Sequence, residues 1–241
     1  MKSETEFKMS TPILYLVFNR PDIVKQTFPE IQKAEPKQLF IASDGPRNSE
    51  EKKKTEAIRK YILENINWEC EVKTLFREKN LGCKYAVSGA IDWFFENVEQ
   101  GIILEDDCLP NQSFFRFCQE MLWKYRKDKQ IGQISGTNFL KRNYSRQSYI
   151  FSKYGSIWGW ATWKRAWENY DVDLKDFENF EKIKFKHSLS FFEKQFRRIN
   201  YNKIKKEHFD TWDYQWNLIK NRWGLLSIVS QNNLIKNIGF G

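Results

Sequence analysis

The chain has 241 residues, 41% hydrophobic and 29% charged, with a formal net charge of +9. This length and balance describe a globular chain with a sizeable core and exclude a disordered or collagen-like one. No run of about 18 apolar residues exists, which excludes a spanning helix. Met1 to Met9 has no apolar signal core, so a cytoplasmic protein is expected.

Residues 1 to 10 read as a tail. Pro12 to Phe18 is a near-continuous apolar run, as in a strand buried on both faces. Asn19-Arg20-Pro21 ends it, with proline where a helix can start. Residues 22 to 34 have helical spacing. Gln38 to Ser43 is a second strand, closed by the turn signal Asp44-Gly45-Pro46. A helix capped at Ser49 runs to about Asn65, and Glu71 to Phe76 is a third strand. Asn80-Leu81-Gly82-Cys83 turns into a helix with Ala86, Ala90, Ile91, Phe94 and Phe95 on its buried side. Residues 101 to 105 form a fourth strand, Pro110 and Ser113 start another helix, and Ile131 to Ser135 is a fifth strand. This alternation predicts a doubly wound, mostly parallel sheet. After about residue 140 it breaks down: a short strand at 149 to 152, a Trp-rich stretch, a short helix, a charged helical region from 176 to 222, and a last strand at 226 to 229.

In such sheets ligands bind at the carboxyl ends of the strands. Arg20, Asp44 and the acids Glu105, Asp106 and Asp107 should therefore converge. Three adjacent carboxylates repel one another and require a positive partner. That partner is either a divalent cation carrying a phosphorylated ligand or a Lys or Arg side chain. Arg20 and Asp44 suit nucleoside contacts, or else pair with each other. Asn80, Gly82 and Lys84 lie at a helix start, where backbone N–H groups favour anions. Trp158-Gly159-Trp160 reads as the wall of a sugar site or as a packed aromatic corner. In Thr211-Trp212-Asp213, Trp212 and its neighbours give Asp213 an apolar setting that suits a general base, with helix capping as the plain alternative. Lys182 to Lys206 reads as a helix pair with a basic outer face. Cys70, Cys83, Cys108 and Cys118 match no metal spacing and are expected as free thiols. His187 and His208 receive no role.

Arg20, Ser43-Asp44, Ile103-Leu104-Glu105-Asp106-Asp107 with Phe114-Phe115, the Gly-Trp segment and Trp212-Asp213 occur in an order that resembles GT-A glycosyltransferases. The resemblance is to the inverting N-acetylglucosaminyltransferase I family and related bacterial sugar transferases. It implies an α/β GT-A fold, a Rossmann-like mostly parallel sheet flanked by helices with a smaller mixed C-terminal region. It implies one domain over 1–241, in which 12–140 binds the nucleotide-sugar and 141–241 carries the acceptor side and the base. Asp44 and Arg20 would contact the uracil or its ribose, Glu105 the donor sugar, Asp106 the ribose, and Asp107 a Mn²⁺ or Mg²⁺ ion. Asp213 would deprotonate the acceptor, with Tyr214 where the family carries a second acid. The resemblance also implies a loop near the donor beyond Gly241. A UDP-sugar donor, a hexosyl or N-acetylhexosaminyl transfer, and a glycan, lipid-linked or surface-polysaccharide acceptor follow from it. The basic helices would then make peripheral contact with an anionic membrane.

A nucleotidyltransferase is the alternative enzyme. It needs a Gly-rich loop and a Lys after the first strand, where this chain has Asn19-Arg20-Pro21. A nucleic-acid-binding module would suit the charge, but acids at 105 to 107 repel phosphate.

Overall fold

The structure is a computed structural model and describes residues 8–140, 147–175, 177, 179–206 and 209–239. The first half forms β1 (Ile13–Val17), α1 (Pro21–Ala34), β2 (Gln38–Ser43), α2 (Ser49–Glu64), β3 (Glu71–Phe76), α3 (Gly82–Asn97) and β4 (Gln100–Glu105). Then come β5 (Cys108–Pro110), α4 (Gln112–Lys124) and β6 (Ile131–Ser135). The second half adds β7 (Tyr149–Ser152), β8 (Trp160–Trp163), α5 (Lys164–Trp167), α6 (Phe191–Lys206), α7 (Asp213–Trp223), β9 (Leu226–Ser230) and β10 (Ile235–Asn237).

Eight strands make one sheet in the order β3-β2-β1-β4-β8-β6-β9-β7. The first four are mutually parallel, β8 is antiparallel to both its neighbours, and β6 pairs parallel with β9. This is the helix-flanked, mostly parallel Rossmann-like sheet that the resemblance implies.

Strand residues alternate between two faces, and here both faces are covered. Ile13, Tyr15, Leu39, Ile41, Ile102 and Leu104 face α1, α2 and α4, against Phe28, Ile58, Ile62 and Phe115. Leu14, Phe40 and Ile103 face the other way, against Ala90, Ile91 and Phe94 of α3 and a cluster of tryptophans. Full burial of such a side chain is worth about 1.5–3 kcal/mol, which explains why β1, β2 and β4 read as unbroken apolar runs.

Two expectations are corrected. The half after residue 140, expected as an elaboration packed on the first, contributes to the sheet itself: β8 from the Trp-rich stretch is inserted antiparallel between β4 and β6. Nor is 176 to 222 helical throughout. Among the described residues it holds a short 3₁₀ turn at Phe180–Lys182, then α6 and α7. His208 lies outside the described residues.

Candidate active site

Strands β2, β1 and β4 are neighbours, so their carboxyl ends lie side by side. They open into a cleft of about 450 Å³ whose lining includes Phe18, Arg20, Asp44, Asn80, Glu105 and Asp210. Pockets of this size commonly hold small ligands.

The acids are placed by β4. Ile102, Ile103 and Leu104 are fully buried, so the strand delivers Glu105 to the cleft and leaves Asp106 and Asp107 in the turn before β5. The positive partner demanded by these acids is Arg20, at the foot of α1. Its guanidinium ion-pairs with Asp106 and reaches Asp107 Oδ2 at 3.2 Å. Pro21 starts α1 immediately after it. The Thr27 hydroxyl of α1 donates to the Asp106 carbonyl at 2.9 Å and lies 2.6 Å from the Tyr15 hydroxyl, tying helix, turn and β1 together.

Asp106, expected at the ribose, is 2% exposed. It accepts from Arg20 and from the Phe18 N–H at 3.3 Å. Both carboxylate oxygens are thus spent inside the protein, and its visible work is to hold Arg20. Burial pushes its pKa up to about 6 against the pull of Arg20. Glu105 differs. Its Oε1 is cut off from solvent and has no hydrogen-bond partner. Burial, then the charges of Asp107, Asp106 and Asp213, push its pKa up to about 8. At neutral pH this carboxyl is mostly protonated and is a hydrogen-bond donor on the cleft wall.

Asp44 does not pair with Arg20. Its carboxylate accepts from Asn80 Nδ2 at 2.9 Å and from the Leu81 N–H at 3.1 Å, joining the end of β2 to the start of α3. Arg59 donates to the carbonyls of Ser43, Asp44 and Arg77. Lys84 is absent from the cleft lining. Its ammonium pairs with Asp173 at 2.7 Å, an acid that also accepts from the Tyr85 hydroxyl at 2.9 Å.

The start of α3 holds a group that the sequence reading missed. Asp210 accepts from the Cys83 and Lys84 N–H groups at 2.9 and 2.6 Å, satisfying donors that a helix leaves free at its first turn. Gly82 makes room: its φ is +75°, and a Cβ there would meet the Asp210 carboxylate. The contact spans 127 and 126 residues, so no local spacing signals it. Asp210→Ala should lower stability by about 1 kcal/mol, the usual worth of a helix cap, read as a shift in urea midpoint without a change in slope. An unchanged midpoint would show that the contact contributes nothing.

Asp213 is the first residue of α7 and is half-buried. It accepts from the Thr211 hydroxyl through Oδ1, and its charge is felt at Glu105 and at Tyr170. The base candidate and the acid turn, distant in sequence, thus share one electrostatic environment.

The expected sugar wall is corrected. Trp160 is fully buried and Trp212 is 2% exposed. Their rings stack at 5.7 Å beside Trp167 and Trp216, so they form core, not a ligand surface. Gly159, at φ +60°, makes way for the Ile235 side chain of β10, not for a ligand. Trp158 is half-buried and meets Phe139 edge-on at 5.3 Å.

Among the described residues no three His, Cys, Asp or Glu side chains converge as a ready-made metal cage. Mg²⁺ and related hard cations commonly take only one or two protein carboxylates and complete their shell with phosphates and water. Asp107 fits that donor set. Its side chain is 17% exposed, beside Arg20. The chain after β10 runs past it, the Ile238 N–H donating to the Asp107 carbonyl at 2.9 Å.

No family model matches the chain, and no curated protein matches it. Among solved structures it is similar to the mannosyltransferase PcManGT from Pyrobaculum calidifontis, solved in complex with GDP-Man and Mn²⁺. Identity there is 12%, over 69% of this chain and 49% of that one, with a TM-score of 0.49. It is also similar to residues 1–349 of S. aureus TarS, at 11% identity over 94% of this chain and 59% of that one, TM-score 0.48. A UDP-glucose pyrophosphorylase complexed with UDP-glucose gives 10% identity over 92% and 90% of the two chains, TM-score 0.46. The chain therefore spans about half to three fifths of the length of the first two.

Proposed function

We propose that the chain is an inverting, metal-dependent glycosyltransferase working in the manner of the N-acetylglucosaminyltransferase I family. The observation that carries this reading is a single cleft. It collects Arg20, Asp44, Asn80 and Glu105 at the strand ends, with Asp213 close enough to act on Glu105. The donor is a nucleotide-sugar, UDP-linked on the resemblance, seated over residues of the first half. Hexosyl or N-acetylhexosaminyl transfer goes to a glycan or lipid-linked precursor of a surface polysaccharide, with the protein peripheral at a cytoplasmic membrane face.

In the reaction, an acceptor hydroxyl oxygen forms a bond to the anomeric carbon while that carbon's bond to the diphosphate breaks. The hydroxyl proton passes to Asp213. Thr211 holds one oxygen of that carboxylate, which fixes its orientation and leaves the other for the proton. Glu105 faces the transferred sugar, and Arg20 presents positive charge toward the departing diphosphate. A divalent cation held by Asp107 would add Lewis-acid neutralisation of that leaving group.

Thermal-shift measurements with UDP, GDP and CDP, with and without Mn²⁺, test the reading. A nucleotide at about 100 times its Kd adds about 2.7 kcal/mol, which raises Tm by several degrees in a chain of this size. One nucleotide should do so, more strongly with Mn²⁺, and Asp107→Ala should remove the Mn²⁺ increment alone. Stabilisation by an oligonucleotide and by no mononucleotide would reject the proposal.

A further inference from the structure

Helix α6 has two unlike faces. Inward, Tyr201 and Ile204 are buried with Phe177, Phe180, Leu218 and Ile219. Outward, Phe192, Phe196 and Ile199 recur at i, i+4 and i+7, which puts them on one stripe. They are 82%, 57% and 53% exposed, and Phe191 at the helix start is 71% exposed. The stripe continues through Tyr214 to Phe209, with ring centroids 6.3 Å apart for Phe196–Tyr214 and 5.9 Å for Phe209–Tyr214. Large apolar side chains held in water in a contiguous row mark an interaction surface.

The charge on the same helix and on the segment before it identifies the partner. Residues 181 to 206 carry nine Lys and Arg against two Glu, so most of the chain's +9 excess is gathered here. Lys194 and Arg198 lie on the outer flank of α6 and share Glu181, at 3.1 and 3.7 Å. That pairing brings the preceding segment, with exposed Lys184 and Lys186, alongside the helix. Exposed aromatic and aliphatic side chains on a helix edged by Lys and Arg match the headgroup boundary of an anionic bilayer. The apolar groups enter the acyl region and the cations meet lipid phosphates.

We propose that α6 docks the protein on an anionic membrane surface, with Phe192, Phe196 and Ile199 inserted and Lys194 and Arg198 at the phosphates. That the membrane then presents a lipid-linked acceptor rests on the transferase reading; the docking does not.

The test is co-sedimentation of the full chain with phosphatidylcholine vesicles, with and without about 30% phosphatidylglycerol, at about 0.1 M salt. The wild type should partition to the anionic vesicles on the order of tenfold more strongly than to the neutral ones. Phe192→Asp with Phe196→Asp, and separately Lys194→Glu with Arg198→Glu, should each reduce that binding on the order of tenfold. Far-ultraviolet circular dichroism melts confirm folding. If the Phe pair fails to fold, Ile199→Lys gives the same reading more mildly. No wild-type binding, or binding unchanged in the Phe pair, overturns the proposal. So does a wild-type dimer in light scattering that the Phe pair converts to monomer, since a second copy would then cover the stripe. The assay contains no nucleotide, so its failure leaves the transferase reading standing, and failure of the nucleotide test leaves the docking standing.

Discussion

Glu105→Gln should be more stable than the wild type at pH 9 and no more stable at pH 5, in ligand-free protein with chelator present. Glu105 is enclosed at the end of β4 with one oxygen unpartnered, and its pKa is pushed from the ordinary 4.5 up to about 8. The folded state therefore binds this proton more tightly than the unfolded chain does. The associated stability is fully present below about pH 4.5 and is lost as pH rises through 8. Asp106, pushed up to about 6, acts in the same direction over a lower range. A displaced carboxyl carries about 1.4 kcal/mol per pH unit. Relieved in part by the opening of the cleft to solvent, Glu105 should cost the wild type about 3 kcal/mol at pH 9. Glutamine keeps the shape and removes the charge. Urea midpoints at pH 5, 7 and 9 should diverge steadily, and parallel curves would mean that Glu105 ionises without penalty.

The same three acids show how far sequence reading reaches. Their repulsion required a counter-charge, and strand burial placed them at the sheet's carboxyl edge; both deductions are local and both hold. Which cation answers them is not local. Arg20 does so because β1 and β4 pair side by side, a fact of strand order. The runs at β1, β2 and β4 were legible because burial on both faces leaves a continuous apolar signature. Strand β8 was not, because four residues rich in Trp fit strand, turn and ligand wall equally well. The error at Trp160 and Trp212 has the same root: an indole's composition signal is identical in a core and on a sugar platform, and only packing separates them. Asp210 left no signal at all, since its partners are the N–H groups of Cys83 and Lys84, which any residue there would offer.

Asp213→Asn should lower the rate of sugar transfer by about 10²- to 10⁴-fold while leaving nucleotide binding unchanged, the usual contribution of a positioned general base. The asparagine keeps the volume and can still meet the Thr211 hydroxyl, so the start of α7 should persist. What is lost is the carboxylate oxygen that takes the acceptor's proton. Asp213 lies outside the cleft lining, so the donor's own contacts should survive. The effect should fall on kcat, with KM for the donor and the nucleotide-induced rise in Tm both retained. Thr211→Val separates chemistry from orientation. It leaves the carboxylate but frees its held oxygen, and a smaller loss of about tenfold is expected from the weaker alignment. The two substitutions touch one another, so their combination should cost no more than Asp213→Asn alone. Full activity in Asp213→Asn would remove Asp213 from the chemistry.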